Sequence, residues 1–204
     1  MKPNLLKSIS ILLLILNVNF LQAQCTGCQL TITVPNSTTY DLSSIPGQTI
    51  CIVGTGTFTG KLNNFNGNTL CIGTGVNYNP STAPNYNGSW TIINNGTFSN
   101  TTNLLFNSGV NFTNATTGTI ALGALTINSG VSFVNNGIMS TTGITVNSGG
   151  NLTLGGSTTI NGLLQNNGNI AIAGSVVANQ ITNNSGATIF GGSGTNCNSI
   201  RSSG

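Results

Sequence analysis

Few side chains in this chain could do chemistry, and their identities narrow what that chemistry could be. Of 204 residues only Lys2, Lys7, Lys61, Arg201 and Asp41 are charged, and there is no His and no Glu. General acid–base catalysis draws on His, Glu, Asp or Lys beside a reacting group. One carboxylate and one internal Lys, about one repeat apart, read instead as a weak surface pair. Metal sites built on His or carboxylate clusters have no ligands here, so no metal and no cofactor is expected. Phosphate neutralisation needs a basic face that two scattered cations cannot make, so no nucleic-acid partner is expected. No catalytic residue is assigned, and the chain reads as a non-enzyme.

The remaining reactive groups are five cysteines: Cys25, Cys28, Cys51, Cys71 and Cys197. Cys25-Thr26-Gly27-Cys28 has redox or half-zinc spacing, but there is no second pair at metal spacing and no surrounding βαβ pattern. Structural disulfides are the better reading. Residues 1–23 read as a secretory signal peptide, with Lys2 and Lys7 ahead of the apolar Ile9–Leu16 stretch and a cut after Ala23. The apolar stretch is short for a membrane span, so none is expected after cleavage. Export to an extracellular or cell-surface location favours disulfides.

A group of aromatics offers the only other candidate site. Tyr78, Tyr86 and Trp90 lie in 77–90, a segment with Pro80 and Pro84 that interrupts the pattern around it. Aromatic faces flanked by Asn amides could stack on a sugar, so these three residues are the candidate ligand contacts, with a glycan or cell-surface partner. The alternative is a packed excursion with Trp90 entering the next coil.

The elements that position these residues come from repetition. Asn, Thr and Gly make 91 of the 204 residues. Asn-Ser-Gly starts at Asn107, Asn128, Asn147 and Asn184, with Asn-Asn-Gly at Asn166. Large aliphatics precede each (Leu104, Leu125, Ile144, Leu163, Ile181), and apolar residues follow (Phe112, Phe133, Leu152, Ile170, Ile189). A looser column runs through Ile120, Ile138, Ile160 and Val176. Upstream, Gly47-Gln48-Thr49-Ile50-Cys51-Ile52 is echoed twenty residues later by Gly67-Asn68-Thr69-Leu70-Cys71-Ile72. Local alternation of period two, punctuated by Gly and Asn, indicates short strands and sharp corners.

The expected fold is therefore all-β: a parallel β-solenoid (β-helix) with coils of about 20 residues, in which stacking buries columns that one coil could not. A β-sandwich is the alternative. The expected organisation is a 24–46 Cys-containing cap, a 47–192 solenoid with an excursion at 77–90, and a 193–204 tail, the chain reading either as a fragment of a longer protein or as a short secreted one. Asn at equivalent corners is expected to form amide ladders. Cys51 and Cys71, one coil apart in register, are expected to bridge, because that Cα spacing suits a disulfide.

The run Leu163-Leu164-Gln165-Asn166-Asn167-Gly168-Asn169-Ile170-Ala171-Ile172-Ala173-Gly174, continued through Ile181-Thr182-Asn183-Asn184-Ser185-Gly186-Ala187-Thr188-Ile189, resembles filamentous-haemagglutinin-type adhesin repeats. The likeness covers roughly 104–192. The whole chain also resembles secreted Asn/Thr/Gly-rich surface proteins of Bacteroidota type. These resemblances imply surface display or adhesion and identify no binding residues. Self-association through the solenoid ends would suit such a stack.

Two other functions use β-solenoids. Ice binding would need a flat Thr face, and the column Leu105, Thr126, Thr145, Leu164, Thr182 is three-fifths Thr. A polysaccharide-active β-helix enzyme would need the carboxylates this chain lacks.

Overall fold

The computed structural model describes residues 25–63, 67–81, 86, 88–191 and the backbone of 195–202. The expected signal peptide lies outside the described residues. The fold is an all-β parallel solenoid of about 8 turns with about 20 residues per coil. The sandwich alternative is thereby set aside.

One side of the stack is a nine-stranded parallel sheet in strict chain order, from Leu30–Thr33 and Thr49–Val53 through Asn111–Asn114 to Thr188–Gly191. The second sheet also runs in chain order, from Gly56–Phe58 to Thr195–Ser202, and turns a corner within its strands. The first half of Thr119–Ile127 continues Thr97–Asn100, and its second half continues Leu104–Phe106. Each coil thus has three runs, one in the first sheet and two in the second. Tyr40–Asp41 and Leu62–Asn63 form a short separate pair.

Period-two alternation sends every other side chain inward, and in-register stacking places like residues on like. Beside shorter ones, three long continuous columns run through the core. They are Ile50–Leu70–Ile92–Phe112–Phe133–Leu152–Ile170, Phe58–Tyr78–Phe98–Ile120–Met139, and Leu104–Leu125–Ile144–Leu164–Ile181. Each such side chain is worth about 1.5–3 kcal/mol of burial, available only once the neighbouring coil is in place.

The corners need glycine for space. A Cβ on Gly156 would sit 2.0 Å from the Gly137 carbonyl oxygen, and one on Gly137 2.2 Å from that of Gly118. At the Asn-Ser-Gly corners the reason is conformational: Gly130 and Gly149 have φ of 75° and 77°.

The register departs from expectation at one place. The strand Ser157–Asn166 carries an extra residue at Asn161-Gly162, and the pairing shifts between Ile160 and Leu163. Leu164, not Leu163, therefore aligns with Ile144 and is fully buried, while Leu163 is 37% exposed. Ile138 is likewise no core residue: Met139 takes the place beside Ile120, and Ile138 is 58% exposed. Ile160 belongs to an adjacent inward column with Leu122, Thr141 and Ala178.

The expected cap is itself solenoid, because Leu30–Thr33 pairs along the whole length of the strand with Ile50–Val53. Within the expected tail, Thr195–Ser202 forms a further rung on Ser175–Asn183.

Candidate functional surface

Cys25, Cys28, Cys51 and Cys71 meet on the outer face of the first sheet, whereas Cys197 lies in Thr195–Ser202 of the second. Cys51 and Cys71 are register partners, as the repeat implied, yet they do not bond each other. Cys28 bonds Cys51 and Cys25 bonds Cys71, each with a Cα–Cα distance of 5.6 Å. The expected Cys51–Cys71 bridge is therefore replaced by two others. Register neighbours in a parallel sheet project side by side, which holds their Cβ atoms near the ~4.8 Å rung spacing, whereas a bridge wants roughly 3.5–4.5 Å. Residues 25–28 instead cross over this face as a strap and approach each thiol from above. The strap is pinned further where Gln29 N–H donates to the Thr49 carbonyl at 2.9 Å and Thr49 N–H donates to Gln29 Oε1 at 2.6 Å. Beneath it Cys51 is fully buried and Cys71 nearly so, with the Asn95 amide 3.6 Å from the Cys71 sulfur.

Tyr78, Tyr86 and Trp90 are not displayed. Tyr78 and Tyr86 are wholly buried and Trp90 is 4% exposed. Stacking brings Phe58, Tyr78 and Phe98 into one column, with ring centroids 5.5 and 5.4 Å apart. Tyr86 packs on Phe106 at 4.9 Å and meets Trp90 edge-on at 4.8 Å. The expected ligand contacts are thus core residues. The same in-register stacking that buries aliphatics buries these rings, and residues 82–85 and 87 of the excursion lie outside the described residues. Burial holds both tyrosine hydroxyls well above the ordinary phenol range. The two hydroxyls influence each other's ionisation, but neither meets hydrogen-bond geometry with any partner among the described residues.

Amide ladders do run along the axis. At the Asn-Ser-Gly corner, Asn128 donates to Asn107 and Asn147 donates to Asn128, both at 2.7 Å. The ladder resumes from Asn184 to Asn167 at 2.5 Å, so the extra residue makes Asn167, not Asn166, the corner residue. A second ladder, missed in the sequence, is internal: Asn94 donates to Asn114 and Asn114 to Asn135, both at 2.7 Å, and Asn135 to the Thr158 hydroxyl at 3.0 Å. These three Asn are fully buried in a column that is Ile72 before them and Leu154 after. Their signal was an Asn at the fourth position of three successive strands.

Three outer faces remain. On the first sheet, Asn151, Asn169 and Thr188 bond one another along the column at 3.1 and 2.7 Å. On the second run of the second sheet the outward column reads Leu105, Thr126, Thr145, Gln165, Thr182. Gln165 replaces the expected Leu164, because the extra residue shifts the register there. On the first run, the outward columns are Thr97–Thr119–Ile138–Ser157–Ser175 and Ser99–Ala121–Ser140–Thr159–Val177. No residue from Leu62 to Ile200 is charged, so every one of these faces is neutral between the first rungs and the last, where Arg201 is in register with Thr182. No group of His, Cys, Asp or Glu able to hold a metal occurs among the described residues.

Comparison with family models, with curated proteins and with solved structures finds no match for this chain.

Proposed function

We propose that this chain is a secreted or cell-surface β-solenoid with a structural and adhesive role and no catalysis. The observation that carries the reading is the neutral outer surface: from Leu62 to Ile200 the stack presents Asn, Thr and Ser in mixed columns and no charge. Like charges at the same position of successive coils would repel at every ~4.8 Å step, whereas neutral amides and hydroxyls bond along the stack. Two disulfides suit an oxidising, extracellular compartment. The mechanism is mechanical: a stiff scaffold that holds a repetitive neutral face against a surface. Ice binding has less support, since Leu105 and Gln165 interrupt the Thr column.

The test is retention of protein-coated beads on neutral solid supports under flow. Contact through neutral groups predicts retention that barely changes between low and molar salt, where ionic contacts are screened. Release by salt, or no retention on any support, contradicts the reading.

A further inference from the structure

The three outer faces are not equivalent. The first-sheet face is engaged with itself at its two ends, through the strap at one and the Asn151–Asn169–Thr188 bonds at the other. On the first run of the second sheet Ser99 donates to Asn77 Oδ1 at 2.7 Å, but the later rungs differ. Ser140, Ser157, Thr159 and Ser175 are exposed, and their hydroxyls bond no partner among the described residues. Between them stand two exposed aliphatics: Ile138, 58% exposed, and Val177, 46% exposed.

Two backbone features bound this face. Close-approach glycines hold one corner, and the register shift after Ile160 marks the other. The result is a rigid strip on which hydroxyls and short aliphatics recur every ~4.8 Å along the axis.

We infer that this strip binds an extended, uncharged polysaccharide chain lying along the solenoid axis. This inference rests on the adhesive reading above and assigns it a face and a partner class. Neutrality of the strip leaves no electrostatic match for an acidic or basic polymer. Unengaged hydroxyls match a partner that carries donors and acceptors along its whole length. Exposed aliphatics match the apolar faces of sugar rings. A linear repeating ligand is also what the dimensions allow. The strip spans about five rungs, roughly 20 Å, by two columns, far short of the ~800 Å² per partner that a stable protein interface buries. With the tyrosines and Trp90 in the core, the strip has no aromatic platform. Each contact is therefore weak, and affinity accumulates with polymer length.

The experiment uses the full chain and measures mobility retardation in gels holding mannan, dextran or soluble β-glucan, with alginate as the acidic control. Thr159→Glu puts a charge in the strip, Thr159→Ala removes one hydroxyl, and Asn151→Glu puts the same charge on the first-sheet face. Thermal melting of all four proteins reports folding. The inference expects retardation by at least one neutral polysaccharide and none by alginate. It expects loss of at least tenfold in binding for Thr159→Glu, a smaller loss for Thr159→Ala and no change for Asn151→Glu. No retardation of the wild type by any neutral polymer overturns the inference, even where beads still adhere to solids. Loss confined to Asn151→Glu overturns the choice of face. Thermal hysteresis abolished by Thr159→Glu, without polysaccharide retardation, overturns the partner class. Failure of the beads to adhere to any support counts separately, against the adhesive reading itself.

Discussion

The rungs before Phe133 and the rungs after it solve the same stacking problem with different means. The early rungs fill their core with Phe58, Tyr78, Tyr86, Trp90, Phe98, Phe106 and Phe112, and are stapled by both disulfides. Their second-sheet strands are short as far as Leu104–Phe106, such as Gly56–Phe58 and Val76–Tyr78, and Thr119–Ile127 is the first long one. Among the described residues, the buried side-chain polar atoms without a partner all lie here as well: Asn68 Nδ2, Tyr78 OH, Tyr86 OH, Asn94 Oδ1 and Asn100 Nδ2. The later rungs have an aliphatic core, second-sheet strands such as Ile138–Val146 and Ser157–Asn166 of nine and ten residues, and no such orphaned atom among the described residues. Repetition therefore satisfies polar groups where it is regular. Where it is irregular, ring area and covalent links offset what it leaves unsatisfied. Asn94 Oδ1 marks the boundary: the internal ladder ends there because the preceding rung offers Ile72.

The largest effect expected from breaking this contrast is loss of the staples. Cys25→Ser with Cys28→Ser should cost about 2–4 kcal/mol per bridge. Hydrogen exchange should show the loss in the early rungs, with protection after Phe133 largely kept. Uniform loss along the chain would mean that the two regions are one cooperative unit. In the regular half, Gly156→Ala should cost about 4 kcal/mol or more in a denaturant melt, because the new Cβ meets backbone that cannot move aside. A cost below about 1 kcal/mol would contradict the tight corner.

At the boundary, Asn114→Leu removes the acceptor of Asn94 and the donor to Asn135. A loss of about 2–4 kcal/mol is expected, since Asn135 Oδ1 is left without its donor in the core and Asn94 keeps only its bond to the Thr119 carbonyl. Hydroxyl deletions should then differ in sign between the regions. Tyr78→Phe removes an orphaned hydroxyl and should be neutral or stabilising by up to about 1 kcal/mol. Thr141→Val removes a hydroxyl that donates to the Gly143 carbonyl at 3.0 Å and should cost about 1 kcal/mol.

The smallest effect is that of pH. With no His or Glu and a single Asp, stability should be flat from about pH 5 to 9. The buried tyrosines hold their protons more tightly folded than unfolded, so the unfolded chain loses protons first as pH rises. Stability should therefore fall above about pH 10, the ordinary phenol value.

Much of this architecture could be read in the chain because a solenoid writes its register as a sequence period. The columns through Leu104, Leu125, Ile144 and Ile181, and through Phe112, Phe133, Leu152 and Ile170, stand where the repeats put them. Two kinds of information were hidden. A single extra residue at Asn161-Gly162 is invisible in a repeat that already varies by a residue or two, yet it exchanges Leu163 for Leu164 and Asn166 for Asn167. Contacts made across the face rather than along the period were hidden too. The Cys51–Cys71 expectation had the right register and the wrong partners, because nothing periodic reports a strap crossing above. The aromatic excursion looked like a displayed loop because its prolines broke the pattern, while Tyr78 and Tyr86 still aligned with Phe58, Phe98 and Phe106. The candidate binding strip was missed because its Ser and Thr share no motif, only an outward direction.

The stack itself is tested most directly by distances along one column. Thr113, Val134, Thr153, Ala171 and Phe190 point outward from successive rungs of the first sheet. Spin labels at Thr113 paired in turn with Thr153, Ala171 and Phe190 should report separations that grow by about 5 Å per rung, although each step spans nearly twenty residues of chain. Separations that fail to increase in that order, or that jump by more than two rung spacings between neighbours, would contradict an in-register parallel solenoid.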